Sequence, residues 1–141
     1  MRTLVMAVLL IAAPVAAHAQ VPDAATGETT ERFLRTLKDG KVDEALKGIA
    51  DGSSLLAARL ATDPTLASQI NVAIKAYGPV LDWERIGTDT VGTAVRRDTY
   101  LVRHNNMVTR WRFVFVRAQK DWAIAWFGFD DQVQNWLNEP G

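Results

Sequence analysis

The chain has 141 residues, 16 basic and 16 acidic, and 48% of them are apolar. Balanced charge leaves no electrostatic footprint for nucleic acid or an anionic membrane surface, and so apolar a composition excludes a largely disordered chain. Cysteine is absent, which removes disulfides, thiolate nucleophiles and thiolate zinc sites together.

The first element in chain order is an address. "MRTLVMAVLLIAAPVAAHA" has one positive charge, Arg2, an apolar run from Leu4 to Ala17, and a small-x-small close at Ala17-His18-Ala19. This predicts a signal peptide over 1–19, cleaved after Ala19, and a periplasmic or secreted protein beginning at Gln20. The run is too short and too rich in alanine to favour a stable membrane span. Gln20–Glu28, "QVPDAATGE", reads as a flexible tail, and residues 29–141 as a single domain of ordinary size.

Four helices follow. Phe33, Leu34 and Leu37 recur at helical spacing, with Thr29 or Thr30 to cap and Gly40 to stop, which predicts a helix from about Thr30 to Lys38. Val42, Ala45, Leu46 and Ile49 stripe a second helix that closes near Gly52. "SSLLAARLA" adds a short third. Asp63-Pro64 then opens a fourth, where Leu66, Ile70, Ile74 and Tyr77 share a face before Gly78-Pro79 ends it.

From Pro79 the period changes from 3.6 to 2. Strands are predicted over Val80–Ile86, Ala94–His104, Met107–Ala118 and Asp121–Asp130. Asn105-Asn106 suits a two-residue hairpin turn, since asparagine tolerates positive φ; Gln119-Lys120 serves the next one. These turns set a register: His104 opposite Met107, Val102 opposite Thr109, Tyr100 opposite Trp111, Asp98 opposite Phe113, then Phe115 opposite Ile124, Phe113 opposite Trp126 and Trp111 opposite Gly128. One face then carries Tyr100, Val102, Trp111, Phe113, Phe115, Ile124 and Trp126 and needs the helices as cover. The other carries Leu101, Arg103, Arg110, Arg112, Val114, Val116, Ala123, Ala125 and Phe127.

Helices first, a Tyr-Gly-Pro stop at residues 77–79, and the late "RWRFVFVRAQKDWAIAWFGF" hairpin resemble the nuclear-transport-factor-2-like superfamily. The resemblance implies an α+β fold, with N-terminal helices packed in the concave face of a strongly curved antiparallel sheet of about four strands. It also implies a cone whose interior holds a site, in ketosteroid-isomerase-like and polyketide-cyclase-like enzymes as well as in members without activity; fold alone does not choose between them.

For an enzyme, the candidate catalytic groups are Asp98 as base and Tyr100 or Tyr77 as hydrogen-bond donor to a developing oxyanion. The plainer reading, favoured because an unpaired aspartate is rarely buried, puts Asp98 in water at a strand start. His104, which sits beside the Asn105-Asn106 turn, is read as an exposed hairpin tip in preference to a base. Asp130-Asp131 reads as a strand end or helix cap rather than a carboxylate pair, because neighbours on a strand face opposite ways. Arg103, Arg110 and Arg112 share the second face and could receive a carboxylate or phosphate, but are expected to be paired across strands or solvated, and Trp136 to fasten the C-terminal end. No metal-ligand spacing, phosphate loop or nucleophile turn is present, so no cofactor or metal is expected. Tyr77, Tyr100, Trp111, Phe113 and Trp126 form the expected ligand pocket, although core packing is the preferred role of Trp111 and Trp126. The reading that results is a non-catalytic module for a small apolar ligand or a protein partner. The alternatives are the Asp98 enzyme and a homodimer formed through Val114, Val116, Ala125 and Phe127.

Overall fold

A computed structural model describes residues 23–138, so the segment assigned to the signal peptide lies outside the described residues. Helices α1 (Asp23–Lys38), α2 (Val42–Ala50), α3 (Ser54–Thr62) and α4 (Thr65–Tyr77) precede strands β1 (Val80–Val91), β2 (Val95–His104), β3 (Val108–Val116) and β4 (Ala123–Asp130); a single turn, α5 (Val133–Trp136), follows. The strands form one antiparallel sheet in the order β1-β2-β3-β4. This is an α+β fold with its helices ahead of its sheet.

Local chemistry explains the helix limits. α1 ends on Gly40 at φ 76°, where Gly40 N–H donates to Leu37 O (2.9 Å) and Lys41 N–H to Thr36 O (3.2 Å), the paired bonds of a left-handed helix stop. Ser53 caps α3 by accepting Leu56 N–H at 3.2 Å. Asp63 accepts Thr65 N–H at 3.0 Å and so serves the start of α4 from just outside it. One expectation is corrected at the beginning. α1 starts at Asp23 and takes in residues 24–28 of the expected tail, because Thr26 and Thr30 continue the buried stripe of Phe33, Leu34 and Leu37 one and two turns earlier.

The inner face of the sheet meets these helices around Phe33. Its ring lies 5.6 Å from Trp111, 5.8 Å from Phe113 and 5.2 Å from Phe127, tilted or edge-on, as aromatic quadrupoles favour. The β2–β3 register follows the expectation pair for pair: Asp98↔Phe113, Tyr100↔Trp111 and Val102↔Thr109. Its turn is as short as expected, yet no described residue other than glycine has positive φ, so neither Asn105 nor Asn106 is left-handed.

The β3–β4 pairing corrects the rest. Phe115↔Ile124 is as expected, but the next pair is Val114↔Trp126, followed by Phe113↔Phe127 and Trp111↔Phe129. Ala125 is therefore an extra residue, a bulge, and every later side chain of β4 changes face. Phe127 is 3% exposed in the core, whereas Trp126, expected inside, is 37% exposed on the outer face. β1 also runs five residues past its expected end at Ile86, with a register shift between Arg85 and Gly87. That extension is exposed on both faces, so it carries no alternation to read.

Candidate functional site

Three places on this frame bring functional groups together. The first is the inner face at the far end of β2. Asp98 is 0% exposed, which overturns its expected place in water. Burial is made tolerable by pairing: Arg96 Nε donates to both carboxylate oxygens (2.9 and 3.0 Å), Arg96 Nη2 reaches Oδ1 at 2.9 Å, and Thr88 Oγ1 donates to Oδ1 at 2.8 Å. Arg96 lies two residues away on the same face and is itself buried. Tyr100 is next along that face, its ring edge-on to Phe113 at 5.8 Å. Burial, with the Asp98 charge second, pushes the Tyr100 hydroxyl up to about 12. A neutral phenol and a carboxylate thus share the buried face, but Arg96 spans the carboxylate.

The second place is the β2–β3 hairpin tip, which docks on the end of α4. His104 is 6% exposed, not the expected solvated tip. Its Nδ1 lies 3.0 Å from Gly78 O and its Nε2 3.1 Å from Thr109 Oγ1, while Trp111 Nε1–H donates to the same hydroxyl at 2.8 Å. A carbonyl can only accept, so Nδ1 carries the hydrogen. With the ring neutral, Thr109 O–H donates to Nε2, and the polar atoms form a single chain from indole to backbone. Asn106 N–H adds a bond to Tyr77 O at 3.1 Å. Gly78 has φ 89°, and a Cβ there would meet Asn105 Cβ at 2.9 Å, so this junction requires glycine twice over. Tyr77 donates its hydroxyl to Asp131, just past β4 at this same end of the sheet, and that bond raises the phenol above its ordinary value.

The third place is a groove of about 500 Å³ along the free edge of β4, walled by α3 and the start of α4. Leu60, Leu66, Trp126 and Phe129 supply apolar surface, and Arg59, Asp63 and Arg112 supply charge. Trp126 lies across Gly128: a Cβ on Gly128 would fall 2.8 Å from the far edge of the indole. The bulge that ejects Trp126 from the core thus sets its ring against a strand position with no side chain. Arg112, the cross-strand partner of Gly128, holds Asp130 at 3.3 Å. Arg59 reaches across the strand edge and donates one N–H to Ala125 O at 3.4 Å.

The expected ligand pocket is accordingly divided. Tyr100, Trp111 and Phe113 come together as core, Tyr77 turns to Asp131, and Trp126 belongs to the β4 groove. The groove was missed in the sequence because its Trp126 wall depends on the bulge at Ala125. The arginines pair as expected, Arg103 with Asp82 and with Glu84 (3.1 Å), Arg110 with Asp130 at 3.1 Å. Trp136 does fasten the C-terminal end, donating Nε1–H to Asp130 at 2.6 Å beneath the Arg110 guanidinium, 5.1 Å from the ring. Asp130 ends β4, and burial opposes its charge. Bonds from Trp136, Arg110 and Gln132 N–H outweigh burial and hold its carboxyl below the usual range.

Among the described residues, no group of three or more histidine and carboxylate side chains is arranged to hold a metal ion, and no helix is long and apolar enough to cross a membrane. No family model, curated protein or solved structure matches the chain.

Proposed function

We propose that the chain is a non-catalytic binding module of the periplasm or extracellular space, whose seat for a small, largely apolar ligand is the β4 groove. The single observation that carries this reading is the division of the aromatic residues. The inner rings are occupied with one another and with Phe33, whereas Trp126 stands at the wall of an open volume of about 500 Å³. That volume lies in the range of small-molecule sites. The signal-like segment 1–19 supports export, and the order of helices before a four-stranded antiparallel sheet supports the nuclear-transport-factor-2-like reading.

Titration calorimetry of purified protein with naphthalene derivatives tests the seat: binding lost in Trp126→Leu and kept in Trp83→Phe supports the groove, and binding indifferent to Trp126 rejects it. N-terminal sequencing of protein exported by a Gram-negative host tests the address, Gln20 supporting cleavage and Met1 opposing it. A second reading, an enzyme with Asp98 as base, draws on the burial of Asp98 beside Tyr100. The Arg96 fork across both carboxylate oxygens weighs against it, because a base needs a lone pair facing substrate.

A further inference from the structure

We infer that the ligand of the β4 groove is a planar ring bearing a single carboxylate, stacked on Trp126 with its carboxylate on Arg59. This rests on the groove being the binding seat and specifies the chemical class it takes.

The ring follows from the platform. With no Cβ at Gly128, the indole of Trp126 lies close along β4, and 37% of the residue remains open to the groove side and solvent. A large, flat apolar face held by a strand is a stacking surface for another flat π-system. Leu60 and Leu66 provide apolar surface on the helical wall of the same volume.

The carboxylate follows from the balance of charge. Arg112 already serves Asp130, which also receives Arg110 and Trp136. Asp63 is engaged by Thr65 N–H and by the Thr65 hydroxyl at the start of α4. Arg59 gives one N–H to Ala125 O, in a bond of 3.4 Å, and a guanidinium carries five. Its planar fork matches the two oxygens of a carboxylate. One such fork, with Asp63 near enough to oppose it, suits a monoanion better than a phosphate dianion. Ala125 O is also the carbonyl of the bulged residue. The irregularity that turns Trp126 outward therefore anchors Arg59 beside it, and the two recognition elements are one residue apart along the strand.

The test compares 2-naphthoate with its neutral isostere 2-naphthamide by titration calorimetry at low salt. The expected result is naphthoate binding tighter than the amide by about fivefold, the scale of a partly exposed ion pair. Arg59→Gln should bring the two ligands to parity. Asp63→Asn, which removes the competing anion, should tighten naphthoate by about threefold and leave the amide unchanged. Gly128→Ala should weaken both ligands by displacing the indole, with the far-ultraviolet circular dichroism of the protein unaltered. Equal binding of acid and amide to the wild type overturns the carboxylate while the groove reading stands. Failure of both ligands to bind overturns the two together. A preference for naphthoate that survives Arg59→Gln overturns the role of Arg59.

Discussion

Neighbouring aromatic residues on β4 differ in worth because one extra residue precedes them. Phe127→Ala removes a ring packed on Phe33 and Phe113 and should cost about 3–5 kcal/mol. Trp126→Ala removes a ring at the rim of a groove and should cost less than about 1 kcal/mol in chemical denaturation. The reverse ranking would place the bulge elsewhere. Asp98 poses a different residue-level problem, since its carboxylate is buried against an equally buried guanidinium. Asp98→Asn strands the Arg96 charge and should cost about 3–5 kcal/mol, whereas replacing both with apolar residues of similar volume should recover most of that loss. The two tyrosines of the chain offer a third check. Tyr100 is raised to about 12 by burial and Tyr77 is raised by its bond to Asp131. At pH 10 the folded protein should therefore show less tyrosinate absorbance than the same chain in urea, which is half ionised there, with Tyr100 contributing almost none. The sign follows directly: a pKa raised by folding contributes stability at neutral pH that is lost as pH climbs from 10 toward 12.

At the level of elements, the hairpin tip and the end of α4 form one joint. Gly78 supplies the positive φ, its carbonyl takes the His104 Nδ1–H, and the space where a Cβ would sit is filled by Asn105. Gly78→Ala should destabilise by well over the roughly 1 kcal/mol of a simple left-handed strain, because Asn105 must also move. Hydrogen exchange at Asn106, whose amide donates to Tyr77 O, should rise with it. The sequence made much of this level legible. Periodic stripes placed α2 and α4 to within a residue or two, and the short Asn-Asn connection set the β2–β3 register correctly. What it hid had physical causes. A β-bulge leaves no mark on an alternating aromatic run such as "AIAWFGF", so parity failed after Ala125 and carried Trp126 and Phe127 to the wrong faces. Asp98 and His104 looked solvated because their partners, Arg96 and Thr109, are ordinary strand residues whose pairing exists only in three dimensions. The expected dimer face loses Phe127 for the same reason as the pocket loses Trp126.

For the molecule as a whole, stability is distributed unevenly across the sheet. β2 and β3 have neighbours on both sides and carry Tyr100, Val102, Trp111, Phe113 and Phe115 into the core. β1 is an edge, and beyond Ile86 every residue of it is exposed. Its near half is tied down by Trp83, which donates Nε1–H to Glu31 on α1 at 2.9 Å, and by Arg103 of β2 between Asp82 and Glu84. Its far half relies on backbone pairing, the solvated Arg97–Asp89 bridge at 2.8 Å, and the Thr88 bond to Asp98. An exposed ion pair contributes about 0–1 kcal/mol and is screened by salt, so residues 87–91 have little to hold them closed once the ladder frays. Native-state hydrogen exchange should accordingly grade the sheet. Amides paired between β2 and β3 should open only with global unfolding, while those of 87–91 should exchange through local opening that 0.5 M salt accelerates. Asp98 makes the grading informative, because Thr88 ties this fraying end to it and to the equally buried Arg96 (3.4 Å). Thr88→Val should free the end of β1 without reducing global stability by more than about 1 kcal/mol, provided Arg96 alone suffices for the carboxylate. Uniform protection across all four strands would instead mean that β1 folds and unfolds with the core, and that its exposed far half is held by something stronger than the bonds it makes within this chain.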